Sequence, residues 1–160
     1  MKALVIYDSF FGNTEQVARA VGRGLGAPET VRVVRVGGVT AEALRGASVV
    51  VVGSPTRGFR PSGAIAKFLK GLPAGALSGA RVAAFDTRIS TTDVNNRLLN
   101  MLVRRLGYAA EPIGRKLAQK GGRTAAAPEG FFVKGSEGPL KEGELERATA
   151  WGTAIARQMG

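Results

Sequence analysis

"SVVVVGSPTRGFRP", residues 48 to 61, decides how the chain is read. Four consecutive valines are β-branched, and the run has no polar alternation, so the strand has no face to offer water. A short apolar run of this kind suits a strand covered on both sides, as in a parallel sheet with helices on both faces. The valines end abruptly in a loop rich in Pro, Gly and Arg, at the carboxyl end where such sheets carry their ligands.

Working outward, Ala3–Asp8, Ser48–Ser54 and Arg81–Asp86 read as strands, and Val31–Val36 alternates more clearly, as suits a position nearer an edge. A fifth strand is broken across Thr124–Ala127 and Phe131–Lys134. Helical stretches fill the gaps. The first begins near Asn13 or Thr14, either of which suits a cap, and runs to about Gly24 with Val17, Ala18, Val21 and Leu25 on one face. Thr40–Leu44 is short, and Pro61–Leu69 opens on a proline suited to a first turn. Pro112–Lys120 and Glu142–Met159 follow, the last with Leu145, Ala148, Trp151, Ile155 and Met159 at helical spacing. Strands alternating with helices predict a doubly wound α/β fold with a five-stranded parallel sheet, forming one domain over residues 1–160. The segment around residues 90–107 is a helical insertion, in which Asp93–Leu106 carries Val94, Leu98, Met101 and Leu102 on one stripe. It reads first as packing against the body of the domain, second as a homodimer face and third as a lid.

Absences narrow the chemistry. The chain has no His and no Cys. That removes cysteine nucleophiles, disulfides, histidine acid–base catalysis and the common zinc and haem sites. A redox role would need a borrowed cofactor. No run reaches the roughly 18 apolar residues of a membrane span, and the N-terminus reads as a strand rather than a signal peptide. The expected location is cytoplasmic. Net charge is +11, with 10 basic and 4 acidic groups in residues 1–80 and 13 and 8 in residues 81–160. A field spread this evenly favours acidic partners. It carries no DNA- or RNA-binding signature, so no specific nucleic acid is expected.

Three strand ends carry loops that an order 2-1-3-4-5 would bring together: "SFFGNT" (9–14), "SPTRGFRP" (54–61) and "DTRIS" (86–90). The first has the chemistry of a phosphate cradle. Ser9 and Thr14 offer hydroxyls, Gly12 lets backbone N–H groups approach an anion, and a helix start near Asn13 points its positive end the same way. The plain alternative is a capped turn, which accounts for Asn13 and Thr14 but not for Ser9 or the aromatics Phe10 and Phe11. A GxxxxGK[ST] loop is absent, and "GRGLG" at Gly22–Gly26 has the wrong spacing and follows no strand. A phospho-receiver would place Asp8, Thr87 and Lys134 at strand ends, but it needs an aspartate where this chain has Ser54–Pro55.

"YDSFFGNTEQVARAV" resembles the phosphate loop of flavodoxins, and "VVVVGSPTRGFRP" resembles their second flavin-binding loop. The likeness runs along essentially the whole chain. The tail "PEGFFVKGSEGPLKEGELERATAW" further resembles a basic branch of flavodoxin-domain proteins. The resemblance implies FMN as cofactor, with its phosphate held by Ser9, Phe10, Phe11, Gly12, Asn13 and Thr14. Ser54, Pro55, Thr56, Arg57, Gly58 and Phe59 would lie along the isoalloxazine ring, with the Gly58 peptide able to flip near N5. Asp86, Thr87 and Arg88 would approach from the other side. Phe59 is the stacking candidate, against a core or surface role. Phe11 stands where many flavodoxins have a hydroxyl, and the third loop lacks their usual tyrosine, which Tyr108 replaces only if the insertion folds back.

The implied function is that of an FMN-binding electron carrier working with an acidic redox partner. The alternatives are an FMN-dependent NAD(P)H:quinone-type reductase, and a module of this fold with weak or no flavin binding.

Overall fold

A computed structural model describes residues 1–90, 97–98, 101 and 107–160. Strands β1 (Ala3–Tyr7), β2 (Val31–Arg35), β3 (Val49–Pro55), β4 (Arg81–Ile89), β5 (Arg123–Thr124) and β6 (Glu129–Val133) form one sheet. Its order is β2-β1-β3-β4-β5, with β6 also paired to β4, and every pairing is parallel. The helices are α1 (Asn13–Leu25), α2 (Ala41–Arg45), α3 (Gly63–Gly71), α4 (Ala110–Gln119) and α5 (Glu144–Arg157).

The valine run behaves as its composition demands. Val49 and Val51 face one layer, with Val5, Phe85, Val17 and Val21, while Val50 and Val52 face the other, with Ile6, Ile65, Ile113 and Leu117. Alternate residues of one strand thus feed two cores, and each fully buried aliphatic side chain contributes roughly 1.5–3 kcal/mol. Phe85, Phe131 and Trp151 meet edge to face at 6.0–6.2 Å in the layer beneath α1 and α5. β2 lies at the sheet edge and is only partly buried, as its alternation suggests.

The broken fifth strand is two strands. β5 pairs with Arg81 and Val82 at one end of β4, and β6 pairs with Phe85–Ile89 at the other. This second pairing carries β4 three residues past the expected end at Asp86. Pro61 precedes α3 instead of opening it. Ser62 is the N-cap, its Oγ accepting from Ile65 N at 3.3 Å, because the hydroxyl satisfies a first-turn donor that proline leaves bare. Asp93–Leu106 lies outside the described residues, save for Arg97, Leu98 and Met101, which are helical. No helix among the described residues is long and apolar enough to cross a membrane.

Candidate functional site

All strands point the same way, so the carboxyl ends of β1, β3, β4 and β6 converge. A cleft of about 230 Å³ opens there. Its first wall is the β1–α1 turn. The Asp8 carboxylate accepts from Ser9 N at 2.9 Å, Ser9 Oγ accepts from Gly12 N at 3.0 Å, and Arg35, at the end of β2, donates to the Ser9 carbonyl at 2.5 Å. Gly12, with φ 89°, is the N-cap of α1 and supplies no side chain to it. A left-handed residue is needed to turn the chain from strand to helix here, and glycine takes that conformation without a Cβ penalty.

Neither Asn13 nor Thr14 caps the helix, contrary to the sequence expectation. Both lie inside its first turn and direct their side chains elsewhere. Asn13 Nδ2 donates to the Glu137 carbonyl at 3.0 Å, and Thr14 Oγ1 meets Thr87 Oγ1 at 2.8 Å. The first intrahelical bond runs from Gln16 N to Gly12 O. The amides of Asn13, Thr14 and Glu15 therefore start α1 without intrahelical acceptors, at its positive end.

The hydroxyls beside these amides can be counted. Ser9 is 5% exposed and lines the cleft, and its O–H has no acceptor among the described residues. Thr14 (1% exposed) and Thr87 share one hydrogen bond, so one of their two hydroxyl hydrogens stays free for a third group. This is a donor-rich, acceptor-poor cradle of the kind that suits an anion.

The second wall is the loop after β3. Pro55, Thr56, Arg57 and Gly58 line the cleft. Arg57 and Arg60 exchange backbone hydrogen bonds at 2.9 and 3.0 Å around a tight turn whose central residues, Gly58 (φ 53°) and Phe59 (φ 67°), are both left-handed. For phenylalanine that conformation costs on the order of 1 kcal/mol. The loop is tied back by Thr56, whose N–H donates to the Thr87 carbonyl at 2.9 Å and whose Oγ1 accepts from Ala109 N at 3.1 Å. Arg57 lies over both Phe10 and Phe11, at 5.1 and 5.8 Å from their ring centres. Those rings, 54% and 49% exposed, line the cleft mouth.

The third wall is the end of β4. Since β4 continues to Ile89, alternate residues part company: Thr87 and Ile89 share one face, Asp86 and Arg88 the other. Asp86 is 0% exposed, accepts two bonds from Arg88 at 2.6 and 2.7 Å, and accepts Ala110 N at 2.9 Å. Burial pushes its carboxyl above the usual range, with Arg88 pulling against that rise. The Arg88 guanidinium also stacks 3.6 Å from the Tyr108 ring centre. Its charge is largely matched by Asp86.

The cleft wall thus gathers Ser9, Phe10, Phe11, Asn13, Thr14, Pro55, Thr56, Arg57, Gly58, Thr87 and Arg88 of the sequence candidates. Gly12, Ser54, Phe59 and Asp86 are not among the lining residues. Ser54 Oγ braces the second loop by accepting from Ser62 N at 2.8 Å, and Asp86 fixes Arg88. Tyr108 is occupied by Arg88 and is not on the wall. Sequence reasoning missed Ile89, Val133 and Ser136, which also line the cleft, and Arg35, which braces its first loop. β6 ends at the same side of the sheet as the other strands, and that topological rule was the signal available.

No family model matches the chain, and no curated protein matches its sequence. Solved structures do match its fold. Flavodoxin 2 from Bacillus cereus is 22% identical, with a TM-score of 0.76 and 99% of each chain covered. The fold is that of the flavodoxins. A flavodoxin from the domain Archaea is 23% identical over 99% of this chain and 98% of its own, with a TM-score of 0.72. The rubredoxin oxygen:oxidoreductase of Desulfovibrio gigas is similar at 20% identity and a TM-score of 0.70, covering 98% of this chain but 35% of that one. The flavodoxin-like order of the sheet puts the cleft at its switch point, between the ends of β1 and β3.

Proposed function

We propose that the cleft binds FMN and that the protein is an electron carrier of the flavodoxin type. The observation that carries this reading is the uncapped start of α1, whose free amides sit beside the hydroxyls of Ser9, Thr14 and Thr87 at the switch point of a flavodoxin-like sheet. A dianionic phosphate matches that donor set. Pro55, Thr56, Arg57 and Gly58 would flank the isoalloxazine ring, and Phe10 and Phe11 would shield its phosphate end from water. When bound, the flavin supplies the electron-transfer chemistry; the chain binds it, orients it and sets its potential.

Charge supports the same reading and refines it. Arg88 is compensated by Asp86, whereas among the described residues Arg57 has only aromatic faces against its guanidinium. Arg57 is therefore the cation best placed to stabilise a reduced, negatively charged flavin. The net charge of +11 fits a redox partner with an acidic surface. A cytoplasmic location and a single-domain organisation belong to the same proposal.

The test is a visible spectrum of the purified protein, followed by FMN titration with fluorescence quenching. A flavin spectrum, or saturable quenching, supports the reading. A colourless protein that neither quenches FMN nor gains thermal stability from it refutes the reading. Sustained NAD(P)H consumption by the isolated holoprotein would reassign it as a reductase.

A further inference from the structure

The segment joining β6 to α5 is a braced hairpin. Lys134 N donates to Pro139 O at 2.8 Å, Gly138 N to Gly135 O at 3.0 Å, and Lys141 N to Phe132 O at 2.9 Å, with a bridge between Val133 and Leu140. The hairpin is fixed to the opposite end of the sequence by Asn13, whose amide donates to Glu137 O across 124 residues. Gly138, with φ 101°, lies flat against that amide, and a Cβ there would come within 2.5 Å of Asn13 Oδ1. A surface turn needs no such anchoring for its own sake. Its effect is to hold Ser136 on the cleft wall with Ser9, Asn13 and Thr14. The Ser136 hydroxyl is exposed and has no partner among the described residues.

We propose that this hairpin is a fourth wall of the cofactor site, in which Ser136 donates a hydrogen bond to the terminal phosphate of the bound flavin nucleotide and Asn13 is the residue that positions it. The cradle is otherwise made of neutral donors, and the two cleft arginines are directed elsewhere, Arg57 onto aromatic rings and Arg88 onto Asp86. One further O–H therefore changes the grip on a phosphate measurably. Asn13 serves both sides of the contact: its backbone opens α1 and its side chain carries the hairpin.

The inference rests on the flavin reading, and the experiment separates the two. The full chain is titrated with FMN and with riboflavin, which lacks the phosphate, as wild type, Ser136→Ala and Asn13→Ala, with circular dichroism to verify folding. Ser136→Ala is expected to weaken FMN binding by about tenfold, the effect of one hydrogen bond to a charged group, and to leave riboflavin unchanged. Asn13→Ala is expected to weaken FMN similarly and to add little in the double variant, because both act through one contact. A wild type that binds neither flavin overturns the parent reading and this one together. A wild type that binds FMN with a Ser136→Ala variant that binds it equally well overturns this inference alone. Equal loss for FMN and riboflavin would also overturn it, by showing a loosened wall rather than a lost phosphate contact.

Discussion

Replacing Thr87 with valine tests the cradle without any ligand. Valine matches threonine in shape but removes the hydroxyl that meets Thr14 Oγ1 at 2.8 Å. Thr14 is 1% exposed, so its hydroxyl is left buried beside a methyl group. Stranding a buried hydroxyl costs about 2 kcal/mol. For a chain of this size, that lowers the melting temperature by about 4–8 °C. Thr14→Val alone should cost about the same, by the mirror argument. The double variant should not cost their sum, because replacing both partners with apolar groups of the same shape is close to neutral. A double-mutant cycle on the flavin-free protein, followed by urea unfolding at constant m-value, should give a coupling of about 3–4 kcal/mol, the two single losses of about 2 kcal/mol each set against a nearly neutral double. Two silent single variants, or strict additivity in the double, would refute the reasoning and dissolve the link between the first and third walls.

Three other perturbations probe neighbouring contacts. Gly130→Ala would drive a methyl group into the Arg88 guanidinium, which cannot retreat without leaving Asp86; the variant should lose about 3 kcal/mol in denaturant unfolding, the scale of breaking a buried ion pair. Glu144 accepts from Phe132 N at 2.7 Å and pairs with Arg147. Burial pushes its carboxyl up, but Arg147 and the Phe132 amide hold it on balance below the usual carboxylate range. A depressed carboxyl stabilises the fold above its ordinary pKa and loses that contribution as pH falls through the folded value. Glu144→Gln should therefore be less stable than wild type at neutral pH, by about 1 kcal/mol, with the gap closing as the medium is acidified below the carboxylate range. Arg57→Glu, in the FMN-loaded protein, should shift the flavin reduction potential to more negative values by tens of millivolts, on the order expected for reversing one partly screened charge; spectroelectrochemical titration reads it.

The fold was legible in residues 48–61 and their surroundings because it rests on local composition. Four adjacent valines need two covered faces, and two covered faces in a short chain need helices on both sides of a parallel sheet. The edge position of Val31–Val36 followed from its alternation. Much of the cleft wall followed from the rule that parallel strands collect their loops at one end. The absence of His and Cys determined, from sequence alone, that histidine and thiol chemistry have no place here.

Side-chain assignments were less legible, since they depend on partners far away in sequence. Asn13 looks like a cap from its position, but the hairpin that arrives 124 residues later takes its amide. Asp86 and Arg88 both look like loop residues facing a ligand. β6 extends β4 beneath them, so their i, i+2 spacing puts them on one face, where the buried Asp86 holds the part-buried Arg88 on the cleft wall while Thr87 turns to Thr14. Phe59 looks like a stacking ring from its place in the loop; its left-handed backbone and its absence from the residues that line the cleft are features that only the folded turn shows. Composition and periodicity determined which strands form and which end of the sheet is open. Which hydroxyls are engaged with each other, which arginine pairs with a carboxylate and which loop brings Ser136 to the cleft were decided only when the sheet brought distant strand ends together.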